Sequence, residues 1–356
     1  MIAITFRKMK FKKPFFIAEI SANHSGSFSD AKKLILSAKN GGADAVKLQT
    51  YTADTMTLKS KKNHFKIKDG LWKGYNLWDL YNKAHTPYSW HKDLFNYAKK
   101  INIKIFSSPF DSTAVELLES LGCPFYKVAS FEINDYPLIK KLAKTKKSLI
   151  ISTGLANLKE IEFTYNYAKK HGAKEIILLY CVSKYPSEQN DFNLNNIKIL
   201  KEKFNCTVGF SDHSNNNDIA FAAISAGAEV IEKHIALKNR NKSLDFNFSL
   251  KENEIKKFRK RIDEAYNLLG KKHFYREKEE SKNKYYRRSI FATKTILKGE
   301  KFSSINMKIL RPGIGISSYY YETLLGKKSP KKINYADPFK IDIIKKLKLK
   351  MFKNEK

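Results

Sequence analysis

The sequence predicts an α/β protein built as a (β/α)8 TIM barrel with a small second domain. Eight short apolar or β-branched runs alternate with helical segments over residues 1–270, a pattern typical of a parallel barrel. The length of 356 residues suits a barrel of ~250 residues with an appendage. After a charged stretch at 271–288, short strands and turns replace the alternation. We therefore expect a linker at 271–288 and a separate domain at 289–356.

The apolar runs and the amphipathic segments define the expected elements. The predicted strands are 15–21, 45–51, 104–110, 125–130, 148–154, 175–183, 206–213 and 230–235. Helices with one apolar face are predicted at 30–41, 89–100, 111–121, 158–170, 218–226 and 251–269. The insertion 52–87, which carries Trp72, Tyr75, Trp78, Tyr81 and His85, is expected to form a lid or a wall over the barrel mouth. The end of the chain, 341–356, is expected to be a frayed helix.

Composition points to a cytoplasmic protein without disulfides. Hydrophobic residues make up 42% of the chain, and no apolar run approaches the ~20 residues of a membrane span. The first 13 residues lack the apolar core of a signal peptide. The cysteines, Cys123, Cys181 and Cys206, lack metal-ligand spacing, so we interpret them as reduced, small hydrophobic residues.

The formal net charge of +33 raises nucleic-acid binding as an alternative. The lysines, however, are scattered in pairs over predicted helix exteriors, and no known nucleic-acid-binding motif accompanies them. The charge therefore predicts nonspecific adhesion to polyanions at low salt rather than specific nucleic-acid recognition.

Polar side chains end nearly every predicted strand, at the rim where parallel barrels carry their active sites. They are Glu19, Lys47, Gln49, Ser108, Lys127, Ser130, Glu132, Ser152, Ser183, Tyr185, Ser211, His213 and His234. Lysines and serines together favour an anion, such as a small phosphorylated acid. His213 and His234 end successive strands and can share one divalent metal, whereas a lone histidine more often caps a strand end.

Several ordered motifs resemble the sialic acid synthase family over nearly the whole chain. They are 16–20 (FIAEI), 42–50 (GADAVKLQT), 152–154 (STG), 209–213 (GFSDH) and 232–234 (EKH). The motif 311–313 (RPG) resembles the family's antifreeze-like (SAF, β-clip) domain. Segments 21–24, 51–57, 84–87 and 244–249 look most like the pseudaminic acid branch. Ser183 and Ser108 stand where sialic acid synthases have Asn and Thr, and both keep a hydrogen-bonding group.

The resemblance implies a transferase that condenses phosphoenolpyruvate with 2,4-diacetamido-2,4,6-trideoxy-L-altrose and water, giving pseudaminic acid and phosphate by C–O cleavage. The histidines, His213 and His234, would hold Mn²⁺ or Mg²⁺. The phosphoenolpyruvate ligands would be Lys47, Lys127, Ser108, Ser130, Ser152, Ser183 and Ser211. Catalytic positions would be Glu132 as the base for water, Glu19, Asp245 and Tyr185, and sugar contacts would come from Gln49, Phe110 and Arg311. The family also implies a domain-swapped homodimer, with Arg311 reaching a neighbouring barrel.

Three alternatives stay open at this point. The sugar could be the precursor of N-acetylneuraminic or legionaminic acid, because sequence alone does not fix its stereochemistry. Lys127 could instead form a Schiff base, as in an aldolase. An inactive barrel that binds polyanions is the alternative outside enzymes. No membrane partner is expected.

Overall fold

The structure, a computed structural model, describes residues 13–271 and 273–351. The chain divides between Gly270 and Lys271 into two compact units. Two segments discussed from the sequence lie outside the described residues. They are residues 1–12 and the last five residues of the predicted C-terminal helix, 352–356. No helix in the described ranges has the length and apolar character that crossing a membrane requires.

The first unit is a closed parallel barrel, which confirms the predicted fold class. Each strand pairs with the next, and β1 also pairs with β8 to close the cylinder. The strands are β1 (Phe15–Glu19), β2 (Ala45–Thr50), β3 (Lys104–Pro109), β4 (Tyr126–Val128), β5 (Leu149–Ser152), β6 (Ile176–Cys181), β7 (Val208–Asp212) and β8 (Val230–Ala236). They are almost entirely buried, as expected for strands covered by helices.

Helices cover the outside of the barrel. A short strand, β9 (Leu250–Lys251), pairs in parallel with the end of β8. The helices of this unit are α1 (Phe28–Asn40), α2 (Ala53–Met56), α3 (Leu77–Ala84), α4 (Tyr88–Lys100), α5 (Ser112–Ser120), α6 (Tyr136–Lys144), α7 (Leu158–Lys170), α8 (Asn195–Phe204), α9 (Asp218–Ser225) and α10 (Ile255–Leu268). The helix α7 begins with a capping box, in which Asn157 accepts from the Glu160 amide and Glu160 accepts from the Asn157 amide.

Apolar side chains of the strands and helices form one continuous core in this unit. On β1, for example, Phe16 packs against Phe258 of α10 with ring centroids 5.2 Å apart. Side chains alternate along a strand, so the neighbours of Phe16 face the other way, into the barrel. This alternation is what leaves the inner positions available for the polar residues of the site.

The second unit is small and has its own apolar core. Its elements are α11 (Lys278–Lys282), β10 (Ser289–Ala292), β11 (Met307–Leu310), α12 (Tyr321–Leu324) and α13 (Ile341–Lys346). The strands β10 and β11 pair antiparallel. The predicted linker is structured in part, because α11 lies within it and the Tyr285 carbonyl accepts from the Gly313 amide.

Candidate active site

A cavity of about 320 Å³ opens at the carboxyl ends of the barrel strands, and all its lining residues belong to the first unit. This size suits a small-molecule ligand. Of the residues predicted from the sequence, those lining it are Glu19, Lys47, Gln49, Phe110, Lys127, Ser130, Glu132, Ser152, Tyr185, Ser211, His213, His234 and Asp245. With Cys181 of β6, which also lines the cavity, the site is assembled by seven strands and the loops that follow them.

Strand register explains why these side chains meet. In the parallel pairing, Glu19 of β1 lies between Lys47 of β2 and His234 of β8. Ser211 of β7 is the register partner of Glu232 on β8. Side chains at paired positions share a face of the sheet, and residues two apart on one strand do so too, so all five of these groups face the inside of the barrel, in two neighbouring rows.

Two buried lysines and one buried glutamate form the charged floor of the cavity. The Glu232 carboxylate lies 3.2 Å from the Lys47 ammonium and 3.5 Å from the Lys127 ammonium, and it accepts a hydrogen bond from Ser211 at 3.0 Å. Lys47 also pairs with Glu19. Burial lowers the pKa of Lys47 to about 7, although Glu232 opposes the shift. Burial alone would raise the pKa of Glu232, but Lys127 and Lys47 lower it to about 2.

Hydroxyl groups surround this floor. Ser130 accepts from the Gly154 amide at 3.2 Å, and a side chain at Gly154 would collide with the hydroxyls of Ser130 and Ser183. The buried Ser152 hydroxyl has no hydrogen-bond partner within the described residues. A buried hydroxyl that lacks a partner is costly unless a ligand supplies one. The floor thus offers ammonium groups and free donors to an anion.

Glu132 lies at the edge of the same cavity, in the single turn Ser130–Glu132 that follows β4. Burial raises its pKa to about 7, although Lys127 opposes the shift, and Asp135 raises the pKa further. One of its oxygens has no hydrogen-bond partner in residues 13–271 and 273–351. A carboxyl group with a pKa near neutrality is suited to accept a proton.

The two histidines predicted to share a metal lie side by side. The ring centroids of His213 and His234 are 5.3 Å apart, and both rings are buried. Burial is the main reason that the pKa of His234 is held well below its ordinary range, and its Nδ1 has no hydrogen-bond partner among the described residues. The Nδ1 atom of His213 lies 3.1 Å from the Val182 carbonyl, which leaves its Nε2 for a ligand.

These features fit a metal site completed from outside the protein. A neutral imidazole with a free lone pair is a good ligand for divalent metals. No group of three or more His, Cys, Asp or Glu side chains in the described part of the chain is arranged to hold a metal. Asp245, which accepts from Ser21, lies 3.9 Å from His234 Nδ1. We therefore expect two protein ligands, with substrate or water in the other positions.

The insertion 52–87 forms a wall of the cavity, as the sequence predicts. Its lining residues are Met56, Ile67, Trp72, Leu77, Leu80, Tyr81 and Ala84. The indole N–H of Trp72 donates to the Leu244 carbonyl at 3.2 Å, and its ring lies 5.6 Å from that of Tyr185. The segment that begins after β2 therefore extends to the loops that follow β6 and β8.

Residues 34–274, more than half of the chain, match the NeuB family, and residues 287–342 match the SAF domain. The chain belongs to the NeuB family. This confirms the resemblance to sialic acid synthases that the sequence motifs indicate.

Individual relatives of this NeuB-family chain agree with the assignment. It is 44% identical over 329 residues to a pseudaminic acid synthase of Campylobacter jejuni, which covers 92% of this chain and 96% of the relative. An N,N'-diacetyllegionaminic acid synthase of the same species is 40% identical over 330 residues, covering 92% and 98%. The solved N-acetylneuraminic acid synthetase of Leptospira borgpetersenii has a TM-score of 0.69 at 29% identity, covering 76% of this chain and 90% of that chain.

Three predicted site residues of the NeuB-family chain lie outside the lining of this cavity. Ser108 is buried beside Gln49 in the register of β2 and β3, and its hydroxyl has no partner among the described residues. Ser183 lies beneath Gly154. Arg311 is exposed in the second unit, directly after β11. Their predicted contacts with substrate stay predictions.

Sequence reasoning assigned no site role to Glu232, Tyr51 or Cys181, which line the cavity of this NeuB-family protein. Glu232 and Tyr51 lie two positions from His234 and Gln49, so strand alternation was a usable signal. Cys181 was interpreted only as a small hydrophobic residue. It is free and buried as predicted, but its sulfur lies 3.7 Å from His213 Nδ1.

Proposed function

We propose that this protein is a pseudaminic acid synthase. The substrates are phosphoenolpyruvate, 2,4-diacetamido-2,4,6-trideoxy-L-altrose in its open-chain aldehyde form, and water. The products are pseudaminic acid and phosphate. The observation that carries the proposal is the charged floor, where two buried lysines and free hydroxyls lie in one cavity with two adjacent histidines. The match to curated pseudaminic acid synthases over nearly the whole chain supports the choice of sugar.

The floor binds phosphoenolpyruvate. Lys47 and Lys127 supply charge to its phosphate and carboxylate, and Ser130, Ser152 and Ser211 supply directed hydrogen bonds. Because both lysines are almost completely buried, at 4% and 2% exposed, their attraction for an anion is weakly screened by solvent.

The reaction joins C3 of phosphoenolpyruvate to the aldehyde carbon of the sugar. Glu132 takes one proton from the water whose oxygen adds to C2, and this proton passes on to the former aldehyde oxygen, which becomes a hydroxyl. The bond between C2 and the phosphate oxygen then breaks, and phosphate leaves with the electron pair. The second proton of the water leaves the C2 hydroxyl with the phosphate, so that C2 becomes a ketone. Holding the two substrates in contact can supply ~7 to 11 kcal/mol of the barrier reduction.

His213 and His234 would hold Mn²⁺ or Mg²⁺ beside the aldehyde. The chemistry that the metal supplies when bound is polarisation of the aldehyde carbonyl. Asp245 and Glu19 hold sugar hydroxyls, and Gln49, Phe110 and Tyr185 complete the sugar contacts. Gln49 is kept in place by its hydrogen bond to Glu19 at 3.2 Å.

Two further features belong to this proposal. The protein works as a homodimer, in which Arg311 of one chain reaches the acetamido group bound in the barrel of the other. It acts in the cytoplasm, where phosphoenolpyruvate is available. Both follow from the family resemblance and stay predictions.

The direct test is incubation of the protein with phosphoenolpyruvate, Mn²⁺ and a panel of acetamido sugars, followed by phosphate measurement and mass analysis of the products. We expect phosphate release that depends on sugar and a nine-carbon acid from the trideoxy-L-altrose substrate. Faster turnover of the legionaminic precursor would favour the alternative, which the 40% identity to a legionaminic acid synthase supports. Borohydride trapping with pyruvate would reveal a Schiff base on Lys127.

A further inference from the structure

We propose that the insertion 52–87 selects sugars whose far end is apolar, and that it disfavours those with a hydroxyl on C6. The inference rests on the proposed function, because it concerns the sugar half of the same cavity. For brevity we call the seven insertion residues that line the cavity the roof; they are Met56, Ile67, Trp72, Leu77, Leu80, Tyr81 and Ala84.

The composition of the roof differs sharply from that of the floor. None of the seven carries a charge, and Tyr81 and Trp72 are the members with a polar atom. The indole N–H of Trp72 is already bonded to the Leu244 carbonyl. Next to the roof, Phe110 and Tyr81 both pack edge-on against Tyr51, with ring centroids 5.2 and 5.8 Å away. The roof therefore offers a sugar few hydrogen bonds and a large apolar surface.

The chemistry of the reaction fixes which end of the sugar meets this surface. The aldehyde carbon must lie on the floor side, next to phosphoenolpyruvate and the histidines. The insertion follows the carboxyl end of β2 and reaches across to Leu244 and Tyr185, so it covers the barrel mouth above the floor. When the aldehyde carbon of an open-chain sugar lies at the floor, its last carbon, C6, consequently extends toward the roof.

The free energy of transfer from water to the apolar surface of the roof differs between a methyl group and a hydroxymethyl group. Burying a methyl group is favourable by about 0.8 kcal/mol. Burying a hydroxyl without a partner costs about 1 to 3 kcal/mol in proteins. An apolar pocket therefore favours the deoxy sugar, but only by the roughly 10- to 200-fold that hydrophobic discrimination achieves.

Roof variants test this without touching the floor. Leu77→Asn and Met56→Gln place an amide of similar size on half-buried roof positions. Leu58→Asn is the matched control, because Leu58 lies in the same insertion, is 70% exposed and does not line the cavity. The measurement is the ratio of kcat/KM for the trideoxy sugar to that for the same sugar with a hydroxyl on C6.

We expect the wild-type protein and Leu58→Asn to prefer the deoxy sugar at least tenfold, and each roof variant to reduce that preference about tenfold. The KM for phosphoenolpyruvate should stay within about twofold, since these variants leave every residue of the floor unchanged. Circular dichroism checks that each variant folds, and the two roof variants lie on different segments of the insertion. The inference is overturned if active, folded roof variants keep the wild-type ratio, or if the wild-type protein does not discriminate. Absence of phosphate release with either sugar would instead overturn the proposed function.

Discussion

Glu232 resolves an electrostatic problem at the floor of the cavity. Two ammonium groups buried near each other would each lose several kcal/mol of solvation without a counter-charge. The Glu232 carboxylate lies within 3.5 Å of both and so keeps the floor stable before substrate arrives. Glu19 also pairs with Lys47, so the two lysines are balanced by two buried carboxylates in the absence of an anionic substrate.

Glu132 should govern the acid side of the rate profile. Its pKa is raised to about 7, so the carboxylate that accepts a proton exists mainly above this pH. The rate at saturating substrates should therefore fall as the pH drops through about 7. The measurement is kcat from pH 5.5 to 9, and Glu132→Gln should remove most activity at every pH.

The variant Asp135→Asn gives this prediction a sharper form. Asp135 raises the pKa of Glu132 and also caps α6 through the Leu138 amide. Asn caps helices as well as Asp does, so the helix is retained while the negative charge is lost. We expect the fall of kcat on the acid side to occur at a lower pH than in the wild-type protein. If this fall stays at the same pH, a group other than Glu132 controls it.

The histidine pair should determine metal binding. His213→Ala and His234→Ala each remove one of two protein ligands, so both should lower the affinity for Mn²⁺ at least tenfold. Titration followed by electron paramagnetic resonance measures free Mn²⁺ independently of activity, and EDTA should abolish turnover of the wild-type protein until Mn²⁺ is restored. Full activity in EDTA would contradict the assignment.

At the scale of elements, a buried ion pair joins the two strands that carry the histidines. Lys233 of β8 donates to Asp212 of β7 at 2.9 Å, and both are almost fully buried. Lys233→Met leaves the Asp212 carboxylate unpaired, which should lower the free energy of unfolding by about 3 to 5 kcal/mol. Denaturant unfolding measures this, with Lys198→Met as the control because Lys198 and Glu202 form an exposed pair. Equal stability of the two variants would show that the buried pair is unimportant.

The predictable part of the structure follows from local patterns. Apolar runs and amphipathic periodicity predict the eight strands and six of the helices, and most of these bounds agree within two residues with those observed. The helices α6 and α8 lie outside the predicted helical segments. Successive side chains of a strand point to opposite faces, so the sequence also indicates which residues, such as Lys47 and Gln49, face the inside of the barrel. Contacts between segments far apart in the sequence, such as Trp72 with Leu244, cannot be predicted from a local sequence pattern, because loop conformation depends on tertiary packing.

At the scale of the whole molecule, the proposed dimer makes a quantitative prediction. Arg311→Ala and Lys127→Met chains should each be nearly inactive alone. If Arg311 acts in a neighbouring barrel, half of the dimers in an equal mixture are mixed, and each has one intact site. Activity should then recover to about one quarter of the wild-type rate. No recovery after verified subunit exchange would mean that the second unit serves its own barrel.

The condensation itself is tested most directly with phosphoenolpyruvate labelled with ¹⁸O in the oxygen that bridges C2 and phosphorus. Mass analysis of phosphate and of the nine-carbon product, after reaction with the trideoxy sugar and Mn²⁺, locates the label. Cleavage of the C–O bond after water adds to C2 places the ¹⁸O in phosphate and an oxygen from water in the product. Label retained on C2 of the product, or phosphate released equally without sugar, would contradict the proposed reaction.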